Sequence, residues 1–419
     1  MVRRLAAPLL LTAAIILSRV FSAPALSNPT GATLSPAIHL RTPLPYLLMA
    51  PLFALWDGVS MLSMSRLKGF LWGLVLLYLL WRIARALGQR SKPTSSRTFS
   101  WRREILTLAT SFVLLLLFIA AGALWHRPML SLEGTDSNVL VVDFHSHTNA
   151  SHDVRNTLMR GFDAEANRRW HARAGFDAAF ITDHNTIAGF PTGSGKPALC
   201  PGIEVSAWRA HIVLLGDTVP VDARRYNGSI DDLLGLLRTS HSAYHSFSVA
   251  SLPEYRRNHW QRLDQLLSAG LDGLEITNAA PKANELSRAE RDTVIALARS
   301  AGAFVVGVSD AHGWGATSMV WNLVRLPGDA ASGTVDVCTA VLRRLEAGFP
   351  AVQVIERHRV RPDAWWPMWL TPIAVVWESW RSMQLDVCLA WIAWIWLPAA
   401  LSLTRAARDE PDSPRPEIL

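Results

Sequence analysis

From Ile105 to Trp125 no side chain carries a charge, and about 20 apolar residues in a row let a helix cross the hydrocarbon core of a bilayer. A run of that kind either lies in lipid or must be wrapped on all sides by protein. With 50% of its residues hydrophobic, 18% charged and a mean hydropathy of +0.18, the chain is too apolar for an ordinary soluble enzyme and far too apolar for disorder. Further apolar stretches flank that run. Leu5–Leu17 follows Met-Val-Arg-Arg and reads as a span, or as a cleavable signal with a small-residue site at Ser22-Ala23-Pro24-Ala25. Arg19 is awkward in a signal and favours the span. Pro43–Ser65 holds one charge, Asp57, and reads as a span. Gly69–Trp81 lies between Lys68 and Arg82 and spans only if those cations snorkel to the interface. Ala364–Trp377 and Val387–Leu403 read as two short spans in a tryptophan-rich stretch suited to headgroup depth.

Orientation is a contest between basic clusters, since Lys and Arg favour the cytoplasmic side. If Gly69–Trp81 spans, Arg3/Arg4, Arg66/Lys68, Arg357/Arg359/Arg361 and Arg405/Arg408 lie inside, the run Arg82–Arg103 is stranded outside, and the middle of the chain is cytoplasmic. If it only lies on the interface, everything basic from Arg66 to Arg103 stays inside and Ile105–Trp125 carries the middle outward. The second count is slightly favoured. The expected organisation is a membrane region at 1–136 with three or four spans, a middle domain at 137–350, and a second membrane region at 351–419 with about two spans and a short polar tail. The net charge of +7 then reflects topology signals beside apolar segments, and gives no case for nucleic acid. Three cysteines, without C-x-x-C spacing, make no disulfide framework and leave at least one thiol unpaired.

Ten of the 13 histidines lie between His145 and His312. There the pattern changes to short runs rich in Val, Ile and Phe separated by helical stretches. Strands are expected at Val139–Phe144, Ala178–Thr182, Leu199–Val205, His211–Gly216, Phe247–Leu252, Leu274–Thr277 and Phe304–Ser309, and helices at Gly161–Ala174, Ile230–Arg238, Trp260–Ala269, Ala283–Ala301 and Val335–Ala347. Apolar strands alternating with helices imply a parallel sheet covered by helices, open or closed as a barrel, with its chemistry at the carboxyl ends of the strands. Polar residues gather at those ends: Asp143-Phe144-His145-Ser146-His147, Thr182-Asp183-His184-Asn185, Gly202-Ile203-Glu204, and Ser309-Asp310-Ala311-His312-Gly313, while His211 opens its strand. Alternation puts His145 and His147 on one face, so both imidazoles can reach one ion. A lone H-x-H is more often a pair of surface histidines. Five such clusters at strand edges of one domain point to a metal centre, and imidazoles with carboxylates suit zinc, iron or manganese.

These residues resemble the polymerase and histidinol phosphatase (PHP) superfamily of metal-dependent phosphoesterases. The resemblance covers roughly Val139–Leu326 and carries D-F-H-S-H-T, I-T-D-H-N, G-I-E-V, A-H-I-V-L-L-G and G-V-S-D-A-H-G in family order. It implies an α/β fold, a distorted seven-stranded βα barrel flanked here by transmembrane helices, with two or three divalent ions (Zn, Mn or Fe). By position, His145, His147, Glu204 and Asp310 are implied as ligands of one metal, with Glu204 shared to a second that also takes His211. Asp153, His184 and His312 form a third set, with His152 as a substitute for Asp153. Where the family has a histidine before proline, the chain reads Ser251-Leu252-Pro253, which leaves a weak second site, a water, or recruitment of His241 or His245. Asp183 and His312 are candidate proton carriers. Arg209, Asn278 and Lys282 are candidate substrate contacts. His171 reads as a solvated helix residue, and Glu275 points to an unknown face.

The implied function is a membrane-anchored hydrolase of a small phosphorylated or acyl substrate that uses a metal-activated hydroxide. Ester, amide or carbamate hydrolysis is the alternative, or a catalytically weak membrane sensor. The expected setting is a multi-pass protein of a bacterial inner membrane, with the lipid bilayer as its partner, the catalytic domain on the extracytoplasmic side, and the oligomeric state left open.

Overall fold

The apolar runs after Val139 fold as strands because β-branched and aromatic side chains pack on a pleated surface buried on both sides. The structure, a computed structural model, describes residues 2–90, 100–191, 195–216, 219–327 and 336–408. Its strands are β1 (Leu26–Ser27), β2 (His39–Arg41), β3 (Ser131–Glu133), β4 (Val139–Ser146), β5 (Ala178–Ile181), β6 (Ala198–Ala207), β7 (Ala210–Leu215), β8 (Phe247–Ala250), β9 (Gly273–Asn278), β10 (Phe304–Val308), β11 (Val320–Arg325) and β12 (Val352–Arg357). Strands β2 and β3 form a separate ribbon, and the rest make one sheet in the order β1-β12-β11-β4-β5-β6-β7-β8-β9-β10.

The sheet therefore has ten strands rather than the expected seven. The seven expected strands, β4 to β10, are neighbours in chain order, and β11, β12 and β1 extend the sheet beyond β4. It is also mixed rather than parallel. Pairs β4–β5, β5–β6, β8–β9 and β9–β10 are parallel, while β6–β7, β7–β8 and the pairs made by β11 and β12 are antiparallel. Only two residues, Trp208 and Arg209, lie between the paired Ala207 and Ala210, too few for the crossover that a parallel pair needs. Arg209 takes the left-handed φ of 52° that makes the turn.

The sheet curls until the chain after β10 meets the carboxyl end of β4. Asp310 N–H donates to His145 O (2.9 Å) and His147 N–H to Ala311 O (3.1 Å). Deeper in, the buried Asn322 of β11 splices the same two strands: Nδ2 donates to Val142 O (2.8 Å) and Gly307 O (2.6 Å), and Oδ1 accepts from Gly307 N (2.8 Å). A Cβ on Gly307 would stand 2.1 Å from Val320 Cγ2, so the close approach of β11 requires glycine. Helices Ala164–Ala174, Ile230–Tyr244, Arg288–Ala301 and Val337–Leu345 start at side-chain caps from Asp163, Ser229, Ser287 and Asp336, each satisfying an otherwise orphaned N–H. Cys200 of β6 and Cys338 of the last of these helices form a disulfide, and Cys388 is free and buried.

Among the described residues, three helices are long and apolar enough to cross a membrane: Met64–Gly88, Trp101–Leu124 and Leu385–Thr404. The expected span Pro43–Ser65 instead breaks into Leu44–Leu48 and Ala50–Ser60, because Pro45 and Pro51 cannot continue a helix begun before them. Its Asp57 is buried against protein, bonded to Arg127, Arg357, Thr317 and Tyr46. Ala364–Trp377 is likewise no single span; the helix there is Thr371–Ser382, about half the length a crossing needs. Gly69–Trp81, short between its cations, lies inside the continuous helix Met64–Arg90. The N-terminal apolar helix Leu5–Val20 is shorter than the three above. β12 falls beyond the expected domain boundary at 350, and the polar tail 409–419 and the start of the expected helix at Val335 lie outside the described residues.

Candidate metal centre

β4 ends in His145-Ser146-His147, and the pleat turns both imidazoles to one side. Asp310 follows β10 with φ 46°, a left-handed conformation that aspartate tolerates better than most residues, and this brings its carboxylate over the same spot. Glu204 arrives from β6. His145 Nε2 lies 3.0 Å from His147 Nε2, 3.3 Å from Glu204 Oε2 and 3.6 Å from Asp310 Oδ1; His147 Nε2 lies 3.4 and 3.2 Å from the same two oxygens. Ligands set tetrahedrally about 2.0–2.1 Å from a zinc ion stand about 3.3–3.4 Å apart, so this donor set fits a cation.

Glu204 divides its oxygens. Oε2 lies 3.1 Å from His184 Nδ1, and Oε1 lies 3.2 Å from His211 Nδ1, the disposition of a carboxylate shared between two ions. Asp153 Oδ2 faces His312 Nε2 (2.7 Å) and His184 Nε2 (3.1 Å), with His147 within reach of the same group. All eight residues singled out as metal ligands thus come together, in three overlapping groups. His184 contributes to two of these groups rather than to the third alone. Several buried polar atoms in the cluster have no hydrogen-bond partner: His147 Nδ1, His184 Nδ1, which is near Glu204 but not aligned with it, and Glu254 Oε2. Such atoms are costly unless something satisfies them, and a cation would satisfy them here.

The electrostatics point the same way. Burial opposes charge on His145, but Glu204, Asp310 and Glu275 outweigh it and raise its pKa well above the ordinary value. Burial and the neighbouring His312 push His147 down to about 4. Burial also opposes charge on His211 and His312, yet Glu204 lifts the first, and Asp310 with Asp153 lifts the second, to about 9. Against the penalty of burial, the imidazoles hold Glu204, Asp310 and Asp153 below the usual carboxylate range. The cluster gathers negative charge and draws protons onto histidines, and a divalent cation would displace those protons.

Around the donors lies a layer that the sequence did not reveal. Glu275 Oε1 faces His145 Nδ1 at 2.7 Å, which orients the ring and leaves Nε2 for the cluster. Asn278 Nδ2 donates to Glu275 Oε2 (3.0 Å) and Asp310 Oδ2 (3.2 Å), so it braces the carboxylates around the cluster. His171 is fully buried, not solvated, with Nε2 2.8 Å from Asp143 Oδ2; Asp143 in turn accepts from Ser309. Asp183, a candidate proton carrier, is held by Thr148: its two oxygens accept from Thr148 N–H and Oγ, both at 2.6 Å. His152 is exposed, and Asp153 takes the position in the cluster.

Ser251 lines the cavity above the cluster, as do Lys282 and His312. Arg209 is exposed on the β6–β7 turn, its guanidinium over Trp208, away from that cavity. His241 pairs with Asp272, and His245 ends the helix Ile230–Tyr244; both stand in a different recess. Neither replaces the missing histidine. Glu254, three residues after Ser251, instead lies 3.8 Å from His211 Nδ1, where burial and the charge of Glu204 raise its pKa despite the nearby His211. A carboxylate one helical turn past a strand end was the available signal.

No protein-family model and no curated protein matches the chain. Among solved structures, the chain is similar to a provisionally assigned metal-dependent phosphoesterase from Bifidobacterium adolescentis at 18% identity and TM-score 0.32, over 42% of this chain and 88% of that one. It is also similar to a lesion-specific endonuclease, PfuEndoQ, from Pyrococcus furiosus (13% identity, TM-score 0.35, 50% of this chain and 56% of that one). A third is an amidohydrolase from Chromobacterium violaceum (17% identity, TM-score 0.29, 53% of this chain and 98% of that one).

Proposed function

We propose that the protein is a membrane-anchored, metal-dependent hydrolase of phosphoesters. The observation that carries this reading is the convergence of His145, His147, Glu204 and Asp310 at separations of 3.0 to 3.6 Å. Those four residues would hold one ion, Glu204 with His184 and His211 a second, and Asp153 with His184 and His312 a third. Divalent ions of zinc, manganese or iron bound there would make a water acidic enough to attack at neutral pH and offset charge on phosphoryl oxygens. The protein's own part is to fix the donors: Glu275 holds the His145 ring, and Asn278 engages Asp310 Oδ2 while Oδ1 faces the imidazoles. Arg257 and Lys282 bring positive charge to the same cavity, suited to a phosphate. Water adds across a P–O bond, and an alcohol and a phosphate leave.

The test is metal analysis of the detergent-purified protein, followed by a screen of phosphomonoesters, phosphodiesters and aryl esters. Two or more ions per chain with chelator-sensitive phosphoester turnover is the expected result. Turnover confined to acyl compounds would move the chemistry to a carbonyl, and bound metal without turnover on either class would leave a sensor.

The catalytic domain is proposed to lie outside the cytoplasm: although Gly69–Trp81 lies in a helix of spanning length, the count that then put the middle of the chain inside also took Pro43–Ser65 as a span, and that stretch is two short helices. Helices Met64–Gly88 and Trp101–Leu124 run antiparallel, tied at one end by Tyr78 and Arg82 to Glu104 and meeting the domain at Met64 and Ala123. The end away from the domain carries Arg82, Arg85, Arg102 and Arg103, with Arg90, Lys92 and Arg97 in the sequence between the helices. Several cations on the domain side are bonded within the protein, Arg66 to carbonyls of 361–366 and Arg127 and Arg357 to Asp57. The clustering of arginines at that end supports a cytoplasmic far end, and the Cys200–Cys338 disulfide suits an oxidising compartment.

A further inference from the structure

We infer that the substrate is a membrane-resident amphiphile, a phosphoester whose phosphate rests at the ligand cluster while its apolar tail lies along the membrane-side wall of the same cavity. This deepens the phosphoesterase reading and rests on it. The cavity, about 710 Å³, is lined by Asp153, His184, Glu204, His211, Asp310 and His312. Trp56, Met61, Met64, Ala123, Met159 and Met319 line the same space. Met64 and Ala123 belong to the domain-side ends of two helices long and apolar enough to cross a membrane. Ligand group and bilayer-anchoring helices therefore share one space.

The wall chemistry selects the substrate class. Methionine and alanine offer a polar substrate no hydrogen bonds, and flexible thioethers adapt to irregular apolar chains. Met64 N–H donates to Pro281 O (2.9 Å), and the Glu285 carboxylate accepts from Ser65 N–H and Oγ, both at 2.7 Å. The segment carrying Lys282 is thus fastened to the start of the helix, and the cationic rim keeps its distance from the membrane surface. In the reaction, water oxygen bonds to phosphorus, the P–O bond to the lipid breaks, and a water proton passes to the departing lipid alcohol.

The experiment uses the full chain with divalent metal restored. One arm compares glycerol 3-phosphate with dibutanoyl, dihexanoyl and dioctanoyl phosphatidic acid as monomers. Burial of each methylene is worth about fourfold in kcat/KM, so the series is expected to rise at least about tenfold. The other arm irradiates the chain in nanodiscs with a photoactivatable phosphatidic acid and maps the labelled peptides. Label on 56–64 or 313–319, reduced in Met64→Gln, supports the inference. Glycerol 3-phosphate turned over as well as the acylated compounds, or label confined to the outer faces of the spanning helices, overturns it. A labelled cavity wall with no phosphoester turnover would overturn the phosphoesterase reading and keep the amphiphile site.

Discussion

Ser251 stands at the end of β8 with a neutral hydroxyl, a poor metal ligand, and the helix Leu252–Asn258 that follows places Glu254 beside His211. A carboxylate in the first turn of a helix is also favoured by the helix dipole. If Glu254 is the donor that makes up for Ser251, Glu254→Gln will weaken retention of one ion by about 10- to 100-fold, while Ser251→Ala will leave metal content unchanged. Dialysis followed by elemental analysis reads both, and a loss in Ser251→Ala equal to that in Glu254→Gln would hand the role to the hydroxyl. The histidines add a pH dependence. His211 and His312 are raised to about 9 by facing carboxylates, so in the metal-free protein they hold protons that a metal ion must displace. The sign follows: apparent metal affinity climbs as pH rises toward about 9 and levels above it. Calorimetric titration at several pH values between 6.5 and 9.5 would show this, and a flat profile would mean that these two imidazoles bind no metal.

At the scale of elements, Asn322 shows what the sequence could and could not disclose. The seven strands β4–β10 were legible because each is a short apolar run bounded by polar or glycine residues, and all the candidate ligands but Asp153, which only the family resemblance implied, were legible because strand ends carry them. β11 reads Val-Trp-Asn-Leu-Val-Arg and β12 Val-Gln-Val-Ile-Glu-Arg, and their polar residues hid them among loops although Asn322 and Glu356 are buried. Pairing direction was hidden as well, since a strand buried on both faces has the same composition in either sense. Glu275, Asn278 and Glu254 were missed as partners of the ligands for a related reason: their roles come from packing between separate elements, and no spacing along the chain records it. Asn322 joins β4 to β10 by three buried hydrogen bonds. Asn322→Leu would leave a Gly307 N–H and two carbonyls without that partner, at about 1–3 kcal/mol each, so a loss of roughly 3 kcal/mol or more is expected, read as a lowered Tm. Because the splice lies beneath His145 and Asp310, metal retention should fall with it; a variant as stable as the parent would show that the β4–β10 junction does not depend on Asn322.

Across the whole molecule, the layer of candidate metal ligands and the apolar helices are joined through a charge. Asp57, in a helix too short to span, accepts from Thr317 and pairs with Arg127 and Arg357; Arg127 also donates to Trp314 O and Ala316 O, just after His312. Removing one member of a buried charge group costs about 3–5 kcal/mol, so Asp57→Leu should destabilise the 313–317 loop and lower metal retention, while Asp57→Glu, which keeps the charge, should do less. The same joint makes topology testable. If the end of the helix pair away from the domain is cytoplasmic, as its cluster of arginines favours, a reporter placed after Trp125 lies outside and one placed at Arg97 lies inside. Alkaline phosphatase, which needs an oxidising compartment to form its disulfides, should be active at the first junction and silent at the second, with a cytoplasmic reporter giving the reverse. Blocking free thiols before and after reduction gives an independent reading: in protein prepared without reductant, Cys200 and Cys338 should react with a maleimide only after reduction. The opposite reporter pattern, with both cysteines reactive from the start, would put the catalytic domain in the cytoplasm and its cavity against the inner leaflet.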